Sequence, residues 1–237
     1  MPFLSISLDM VAAMRETRRT VEPDPAQIAV MAEIAGVDGI TVQVRRDKKY
    51  IRERDLYILK GVTKTRLTME MPPVDEIIDK AMEVKPAMVT LVADHADSTM
   101  PVSTIDFNST QVEFGDLCAR FSGVGISTCF FVEPENDQIK KGAKNGASAV
   151  LINCSGYSGA RTIPEAQSEL DRIDKAAQFA SKCGLDVLCG RGLNYKNIIP
   201  LAELKTVDEF VIGHAIFTRS LLVGLERSIS EMAAVLK

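Results

Sequence analysis

Short apolar runs and longer amphipathic segments alternate along the whole chain. The longer segments repeat apolar residues at three- and four-residue spacing, as Leu222, Leu225, Ile229, Met232 and Leu236 do in the last one. Eight strand–helix repeats in 237 residues are typical of a (β/α)₈ barrel. We therefore predict an α/β fold, a single (β/α)₈ TIM barrel domain over residues 1–237. The predicted strands are 3–9, 39–44, 66–71, 88–93, 125–132, 149–153, 186–190 and 209–214, and the predicted helices are 25–36, 52–62, 73–84, 112–122, 135–146, 163–182, 195–204 and 217–236.

Two stretches interrupt this rhythm. Residues 10–24 are rich in arginine and then in proline and aspartate, and residues 94–111 are rich in serine and threonine. Both follow strands on the side where barrel enzymes build their active sites. The polar stretch 94–111 is a candidate lid, although a plain surface insertion would read the same way.

Composition excludes several classes of function. The net charge of −4 and the lack of a dominant basic stripe argue against nucleic acid as a partner. No apolar run is long enough for a membrane span, and the chain begins without a basic leader, so we expect a cytoplasmic protein. Five unpatterned cysteines and two histidines predict no metal site, and we expect no cofactor.

Polar residues recur at every second position near the ends of the first three strands. Since strand side chains alternate, each polar set shares one face, and we expect that face to line the barrel axis while the apolar residues between them meet the helices. The sets are Ser5, Ser7 and Asp9; Thr41, Gln43 and Arg45; and Thr68 with Glu70.

Glu70 is the strongest catalytic candidate among these residues. It lies between Met69 and Met71 at a strand end, and a buried carboxylate there suits general-base chemistry. The alternative is a structural ion pair between Glu70 and Arg45 or another arginine.

Two strand ends near the C-terminus are broken by glycine. The first is Leu188–Leu193, which holds Gly190, Arg191 and Gly192, and the second is Val211–Ile216, which holds Gly213 and His214. Glycine lets backbone N–H groups approach a ligand, and a helix N-terminus favours an anion. The pair predicts a phosphate cup, at the place where barrels often bind phosphate, although each end alone could be a tight turn. Neither a complete GxGxxG nor a GxxxxGK[ST] motif is present, which disfavours a nucleotide site.

At these residues the chain resembles the pyridoxine 5'-phosphate synthase (PdxJ) family of barrel enzymes. The shared stretches are Glu22–Gln27, Ala32–Val42, Arg52–Asp55, Arg66–Met71, Gly190–Tyr195 and Ile212–Ile216. The resemblance implies condensation of 3-amino-2-oxopropyl phosphate with 1-deoxy-D-xylulose 5-phosphate, which gives pyridoxine 5'-phosphate, inorganic phosphate and water. It also implies a homo-oligomer, an octamer in that family.

The resemblance implies a role for individual positions. Glu70 would be a proton acceptor, and Gln43 and Arg191 stand where the family has its catalytic histidines. Substrate and phosphate binding would fall to Ser7, Asp9, Met10, Arg18, Arg45, Tyr50, Gly192, Gly213 and His214.

Several of these positions depart from the family pattern. Met10 and Tyr50 replace histidines, Ser7 replaces an asparagine, and Leu151 and Asn153 stand for a glutamate and a histidine. Glutamine has no proton to exchange near neutral pH, and arginine stays protonated. Three readings therefore stay open: a diverged working synthase, an enzyme for another phosphorylated substrate, and a non-catalytic binding paralogue. In the family reaction we expect strongly reduced activity.

Overall fold

Parallel strands close into a barrel in chain order in the computed structural model, which describes residues 1–93, 102–108 and 112–237. Within these ranges eight strands form the barrel, and each pairs with its neighbours in sequence, with the last returning to the first. The fold is thus a (β/α)₈ barrel, as the sequence predicts. The strands are β1 (Phe3–Ser7), β2 (Gly39–Gln43), β3 (Arg66–Met71), β4 (Met88–Leu91), β5 (Ser127–Val132), β6 (Ala149–Asn153), β7 (Asp186–Gly190) and β8 (Glu209–Ile212).

Helices cover the outside of the barrel. They are α1 (Asp9–Arg18), α2 (Pro25–Ile34), α3 (Glu53–Val62), α4 (Asp75–Val84), α5 (Phe114–Gly123), α6 (Asn136–Lys144), α7 (Ser155–Gly159), α8 (Ile163–Lys182), α9 (Ile198–Ala202), α10 (His214–Val223) and α11 (Leu225–Val235). Local signals start several of them: Asp24 caps α2 ahead of Pro25, and Thr162 forms a capping box with Glu165 at α8.

The barrel interior is polar on one side and apolar on the other. On β1–β3 the alternate residues Ser5, Thr41, Thr68 and Glu70 are buried, while their apolar neighbours pack outward against the helices. On β4–β7 the interior is filled instead by a separate apolar cluster that includes Met88, Cys129, Phe131, Leu151 and Leu188. The register sets Gln43 beside Glu70, so the polar side runs up to the barrel mouth. The predicted facing is confirmed for Ser5, Thr41, Thr68 and Glu70. For Asp9 and Arg45 the prediction of a strand position is wrong, because Asp9 begins α1 and Arg45 lies beyond the end of β2.

The lower barrel is held by close backbone approach and an internal ion pair. Arg66 Nη2 pairs with Glu209 Oε2, whose side chain is 2% exposed. A Cβ added to Gly39 would lie 2.2 Å from Ser5 Oγ, so only glycine lets β1 and β2 meet at this height.

Residues 10–24 were expected to be irregular, and that expectation is wrong, because α1 occupies Asp9–Arg18. The helix was hidden because its core-facing stripe contains a charged residue: Val11, Ala12 and Arg15 are its buried positions. Arg15 is 4% exposed and makes two hydrogen bonds to Asp55 of α3, at 2.8 and 2.6 Å. This ion pair replaces the apolar contact that a helix pattern normally supplies.

Other boundaries also differ from the prediction. The expected helix 217–236 is divided at Gly224, whose φ of 84° ends α10, and Leu222 is 78% exposed instead of packing on the barrel. The short helix α7 was not predicted, and the expected helix 195–204 narrows to α9.

The polar stretch 94–111 falls partly outside the described residues, so the lid remains a prediction. Its described part, 102–108, lies against the barrel. The Ile105 N–H donates to the Phe131 carbonyl over 2.8 Å, and the ring of Phe107 packs edge-on against Phe114 and Phe130.

Candidate active site

The carboxyl ends of the strands surround a cavity of about 350 Å³. Strand ends and the loops after them supply its walls, which is where barrel enzymes place their chemistry. Most of the predicted site residues meet here. The lining includes Ser7, Asp9, Met10, Gln43, Arg45, Glu70, Arg191, Gly192, Gly213 and His214 from the predicted set, together with Val102, Leu151, Gly190, Leu193, Asn194, Val211, Ile212 and Ala215.

An ion pair between Glu70 and Arg191 crosses the barrel mouth. Arg191 Nη2 lies 2.6 Å from Glu70 Oε2, and the two side chains are 27% and 3% exposed. The Arg191 guanidinium also stacks over the Phe131 ring, with 4.8 Å between Cζ and the ring centroid. The backbone of Arg191 has a φ of 78°, in the left-handed region that residues other than glycine rarely adopt. The structural alternative foreseen for Glu70, a pair with an arginine, is therefore present.

Asp9 lies at the start of α1, beside the end of β2. Its Oδ2 accepts a hydrogen bond from Ser7 Oγ, and its Oδ1 accepts one from the Gln43 backbone N–H, both at 2.8 Å. Burial, and then the negative charge of Glu70, raise the pKa of Asp9 to about 6, although these two hydrogen bonds and the charge of Arg191 act in the opposite direction. Asp9 thus combines an accessible cavity position with a pKa close to neutrality.

The glycine-rich ends of β7 and β8 form another part of the cavity wall. Gly213 precedes α10, and Gly213, His214 and Ala215 at the start of this helix line the cavity. The first backbone N–H groups of a helix have no partner within it. A Cβ on Gly213 would lie 2.9 Å from the Ser7 carbonyl oxygen, and one on Gly192 would lie 2.0 Å from Ser158 Oγ. Gly192 also has a φ of 71°. Both positions require glycine, and the resulting loop leaves backbone donors at the cavity.

The predicted basic residues occupy different positions. Arg45 lines the cavity, and its Nε bonds Asp47 Oδ1 at 3.0 Å while its guanidinium lies 5.6 Å from the centre of the Tyr50 ring. Tyr50 is not among the residues that line the cavity, and its ring contacts Arg45, which is. Arg18 is exposed on the last turn of α1, outside the cavity. His214 is also exposed, so it is not a buried structural histidine.

Sequence reasoning missed two features of this region. Arg15 donates from Nη2 to the Tyr50 carbonyl over 2.7 Å, so the Arg15–Asp55 pair supports the loop that carries Tyr50. Val102 lines the cavity and packs against the apolar interior cluster. The sequence holds no signal for the Arg15–Asp55 pair, because the two residues are 40 positions apart. The apolar spacing of Val102 and Ile105 within a polar stretch could have indicated the second.

We also looked in the described residues for a metal site and for a membrane-spanning helix. Within the described ranges, no group of three or more His, Cys, Asp or Glu side chains is arranged to hold a metal ion. No helix in the same part of the chain combines the length and apolar content needed to cross a bilayer.

Comparisons with known proteins match nearly the whole chain. A family model described as pyridoxal phosphate biosynthesis protein PdxJ matches residues 4–237. A pyridoxine 5'-phosphate synthase from a Synechococcus strain is 39% identical, over 97% of this chain and 96% of that protein. One from Geobacter sulfurreducens is 38% identical, over 99% of this chain and 98% of that protein.

Solved structures with the same fold are more distant. Phosphoribosyl anthranilate isomerase from Thermus thermophilus superposes with a TM-score of 0.61 at 11% identity, covering 99% of this chain and 98% of that one. The Thermotoga maritima enzyme gives 0.58 at 12% identity, over 100% and 98%. At such identities the likeness concerns the fold alone.

Proposed function

The chain belongs to the PdxJ family of pyridoxal phosphate biosynthesis proteins, and from that premise we propose that its cavity binds small phosphorylated ketones while its pyridoxine 5'-phosphate synthase activity is strongly reduced. Binding and proton transfer depend on different residues of the cavity. The ends of β7 and β8 keep the glycines and the helix N-terminus that an anion needs, whereas Gln43 and Arg191 cannot exchange a proton near neutral pH.

Support for phosphate binding comes from the strand ends of β7 and β8. Gly192 and Gly213 fit only as glycine, and the N-terminus of α10 opens at the same place. Backbone N–H groups and the helix dipole favour a phosphate dianion there. Arg45, on the neighbouring wall, supplies a guanidinium suited to a second phosphate or to a substrate carbonyl.

Support for reduced activity comes from one observation above all: Arg191 Nη2 lies 2.6 Å from Glu70 Oε2. A carboxylate paired with a permanently charged guanidinium must break that pair before it can accept a proton. Gln43, beside Glu70 in the β2–β3 register, has no proton to exchange. Each positioned acid or base is worth about 10²–10⁴ in rate, so replacing two histidines of the family pattern removes most of the acceleration.

A second candidate function follows from the contrast between the retained binding residues and the altered proton-transfer residues. The phosphate wall is complete while the proton-transfer groups are altered, which suits a family member that acts on another phosphorylated substrate or binds one without turnover. A fixed positive charge at Arg191, where a histidine is expected, favours a ligand with an additional anionic group.

The test measures turnover and binding on the same protein. Purified protein is incubated with 3-amino-2-oxopropyl phosphate and 1-deoxy-D-xylulose 5-phosphate, and pyridoxine 5'-phosphate is followed by its ultraviolet absorbance. We expect turnover at least about 10⁴-fold below that of a synthase that carries the histidines, from two groups worth about 10² each. We also expect either substrate alone to raise the melting temperature. Turnover comparable to that synthase would refute the proposal.

A gain-of-function variant sharpens the test. The double substitution Gln43→His and Arg191→His should raise turnover, because it returns exchangeable protons to the two positions and releases Glu70 from its ion pair. The matched control is Arg227→His combined with Gln167→His, since both residues lie exposed on the outer helices α11 and α8. Equal turnover in the two double variants would count against the role given to Gln43 and Arg191.

Other expectations from the sequence stay predictions. They are the homo-oligomer (an octamer by family resemblance), the cytoplasmic location, the release of inorganic phosphate and the closing of the 94–111 stretch as a lid.

A further inference from the structure

We propose that Asp9 is a catalytic residue of this cavity: its carboxylate accepts the proton that a bound phosphorylated ketone gives up, in place of Glu70. The inference rests on the proposed function only in that the cavity receives such a ketone. The resemblance assigns Asp9 a part in binding, so proton transfer by Asp9 would be a property of this chain.

The two carboxylates at the mouth have different partners. Glu70 is bound to a guanidinium, whereas Asp9 accepts hydrogen bonds from two uncharged donors, Ser7 Oγ and the Gln43 N–H. None of the ion pairs found in the described part of the chain includes Asp9. Each Asp9 oxygen therefore keeps a lone pair that can receive a proton without first breaking a salt bridge.

The position of Asp9 is fixed from two strands. Ser7 ends β1, and Gln43 ends β2, so the donors that hold the carboxylate are themselves held by the sheet. This is the support that a general base needs, because its geometry is set before the substrate arrives. Asp9 and Glu70 line the same cavity, so a substrate that reaches one also passes the other.

The surrounding charges favour proton exchange near neutral pH. Burial raises the pKa of Asp9 to about 6, with a further contribution from the charge of Glu70. A base whose pKa lies close to the working pH is ionised and yet still basic enough to act. The titratable and charged groups that line the cavity with Asp9 are Glu70 from β3, Arg45 after β2, Arg191 after β7 and His214 at the start of α10.

The step itself is an ordinary deprotonation. A C–H bond next to the carbonyl of the ketone breaks, an O–H bond forms at an Asp9 oxygen, and the electron pair stays on the substrate as an enolate. A guanidinium of Arg45 or Arg191 can balance the enolate charge. Asp9 becomes neutral, and the proton returns to the substrate or to water.

The test follows hydrogen–deuterium exchange into 1-deoxy-D-xylulose 5-phosphate in D₂O by NMR, which needs no complete turnover. We expect exchange beside the carbonyl to rise with pH through a midpoint near 6. Asp9→Asn should lower the rate by about 10²–10⁴-fold. Glu70→Gln should leave exchange measurable and move its midpoint to lower pH, because the negative charge that raises the Asp9 pKa is gone.

Two controls separate a failure of this inference from a failure of the proposed function. Binding of inorganic phosphate, measured by thermal shift, should persist in Asp9→Asn, while the exposed Asp171→Asn on α8 should exchange like the unaltered protein. In the protein without ligand, carbon-13 NMR should show an aspartate carboxyl that titrates near pH 6 and is missing from Asp9→Asn.

Three results would overturn the assignment: no exchange by the unaltered protein, undiminished exchange by Asp9→Asn, or loss of exchange in Glu70→Gln as large as that in Asp9→Asn. If phosphate binding survives in each of these cases, the cavity still has its proposed ligand class and only the role of Asp9 is wrong.

Discussion

Replacing Asp9 by asparagine should stabilise the folded protein at neutral pH while it removes the proposed base. At neutral pH the half-buried Asp9 carboxylate is ionised at a position where desolvation and the charge of Glu70 raise its pKa from the ordinary 3.8 to about 6. The folded protein therefore binds a proton at the Asp9 carboxylate more tightly than the unfolded chain does. The stability contributed by this protonation is fully present below pH 3.8 and is lost as the pH rises from 3.8 through about 6.

The magnitude follows from the size of the pKa change. At about 1.4 kcal/mol per pKa unit, a rise from 3.8 to about 6 corresponds to roughly 3 kcal/mol of lost stability above pH 7, of which about half is already lost at pH 5. Asparagine keeps an acceptor for the Gln43 N–H but weakens the contact with Ser7, at a cost of about 1 kcal/mol at every pH. The net gain at pH 7.5 is therefore about 2 kcal/mol, or roughly 4–8 °C in melting temperature for a chain of this size.

Urea unfolding of both proteins at pH 5 and pH 7.5 measures this directly. The advantage of Asp9→Asn should grow by about 1.4 kcal/mol between the two pH values. A difference that is the same at both would refute the reasoning, whatever its sign.

Asp47→Asn provides a control of opposite character. Burial acts to raise the pKa of Asp47, but the Arg45 hydrogen bond and nearby charges outweigh it and lower the pKa below 3.8. The stability that Asp47 contributes is present above pH 3.8 and is lost only as the pH falls through the lower folded value. Its variant should be less stable than the unaltered protein by the same amount at pH 5 and pH 7.5.

Three further predictions concern the parts that hold the site together. Asp55→Ala should lower the free energy of unfolding in urea by about 3–5 kcal/mol, because it leaves the Arg15 guanidinium, 4% exposed, without its carboxylate. Arg15→Met in the same chain should recover much of this stability. A cost under about 1 kcal/mol for Asp55→Ala would contradict the role of the pair. Gly39→Ala should destabilise the barrel by about 1–3 kcal/mol through its contact with Ser5 Oγ, and Ser5→Ala should relieve it, since the next atoms lie at 3.4 and 3.5 Å. Gly213→Ala should weaken phosphate binding in a thermal-shift titration, because its Cβ would press on the Ser7 carbonyl oxygen, whereas Gly159→Ala, with nothing within 4 Å, should bind as before.

Sequence patterns identified the fold because each strand–helix unit is a local feature. Alternating residues such as Ser7 and Leu8 reveal which face of a strand meets the helices, and that period needs no knowledge of distant parts of the chain. The same rule located Gln43, Glu70 and Gly213 at strand ends, and strand ends meet at one face of a closed barrel. Most of the cavity wall could therefore be named from sequence.

Helix α1 and the end of helix α10 show where local sequence patterns fail to predict the structure. Arg15 is charged and yet buried, which only Asp55, 40 residues later, makes acceptable. Leu222 fits the helical period but lies outside, because Gly224 turns the chain before α11 begins. In both cases tertiary contacts or a backbone turn outweigh the periodicity.

The sequence by itself determined that this protein is a barrel of the PdxJ family, with glycine at two strand ends and with Gln43 and Arg191 near the ends of β2 and β7. Only the tertiary structure decided what the substitutes do. Arg191 reaches Glu70 across 121 residues of chain, from a left-handed backbone position after β7. Since Coulomb attraction and burial act through space and not along the chain, two contacts could be recognised only once the strands had closed: the ion pair of Glu70 with Arg191 and the hydrogen bonds of Asp9 with Ser7 and Gln43.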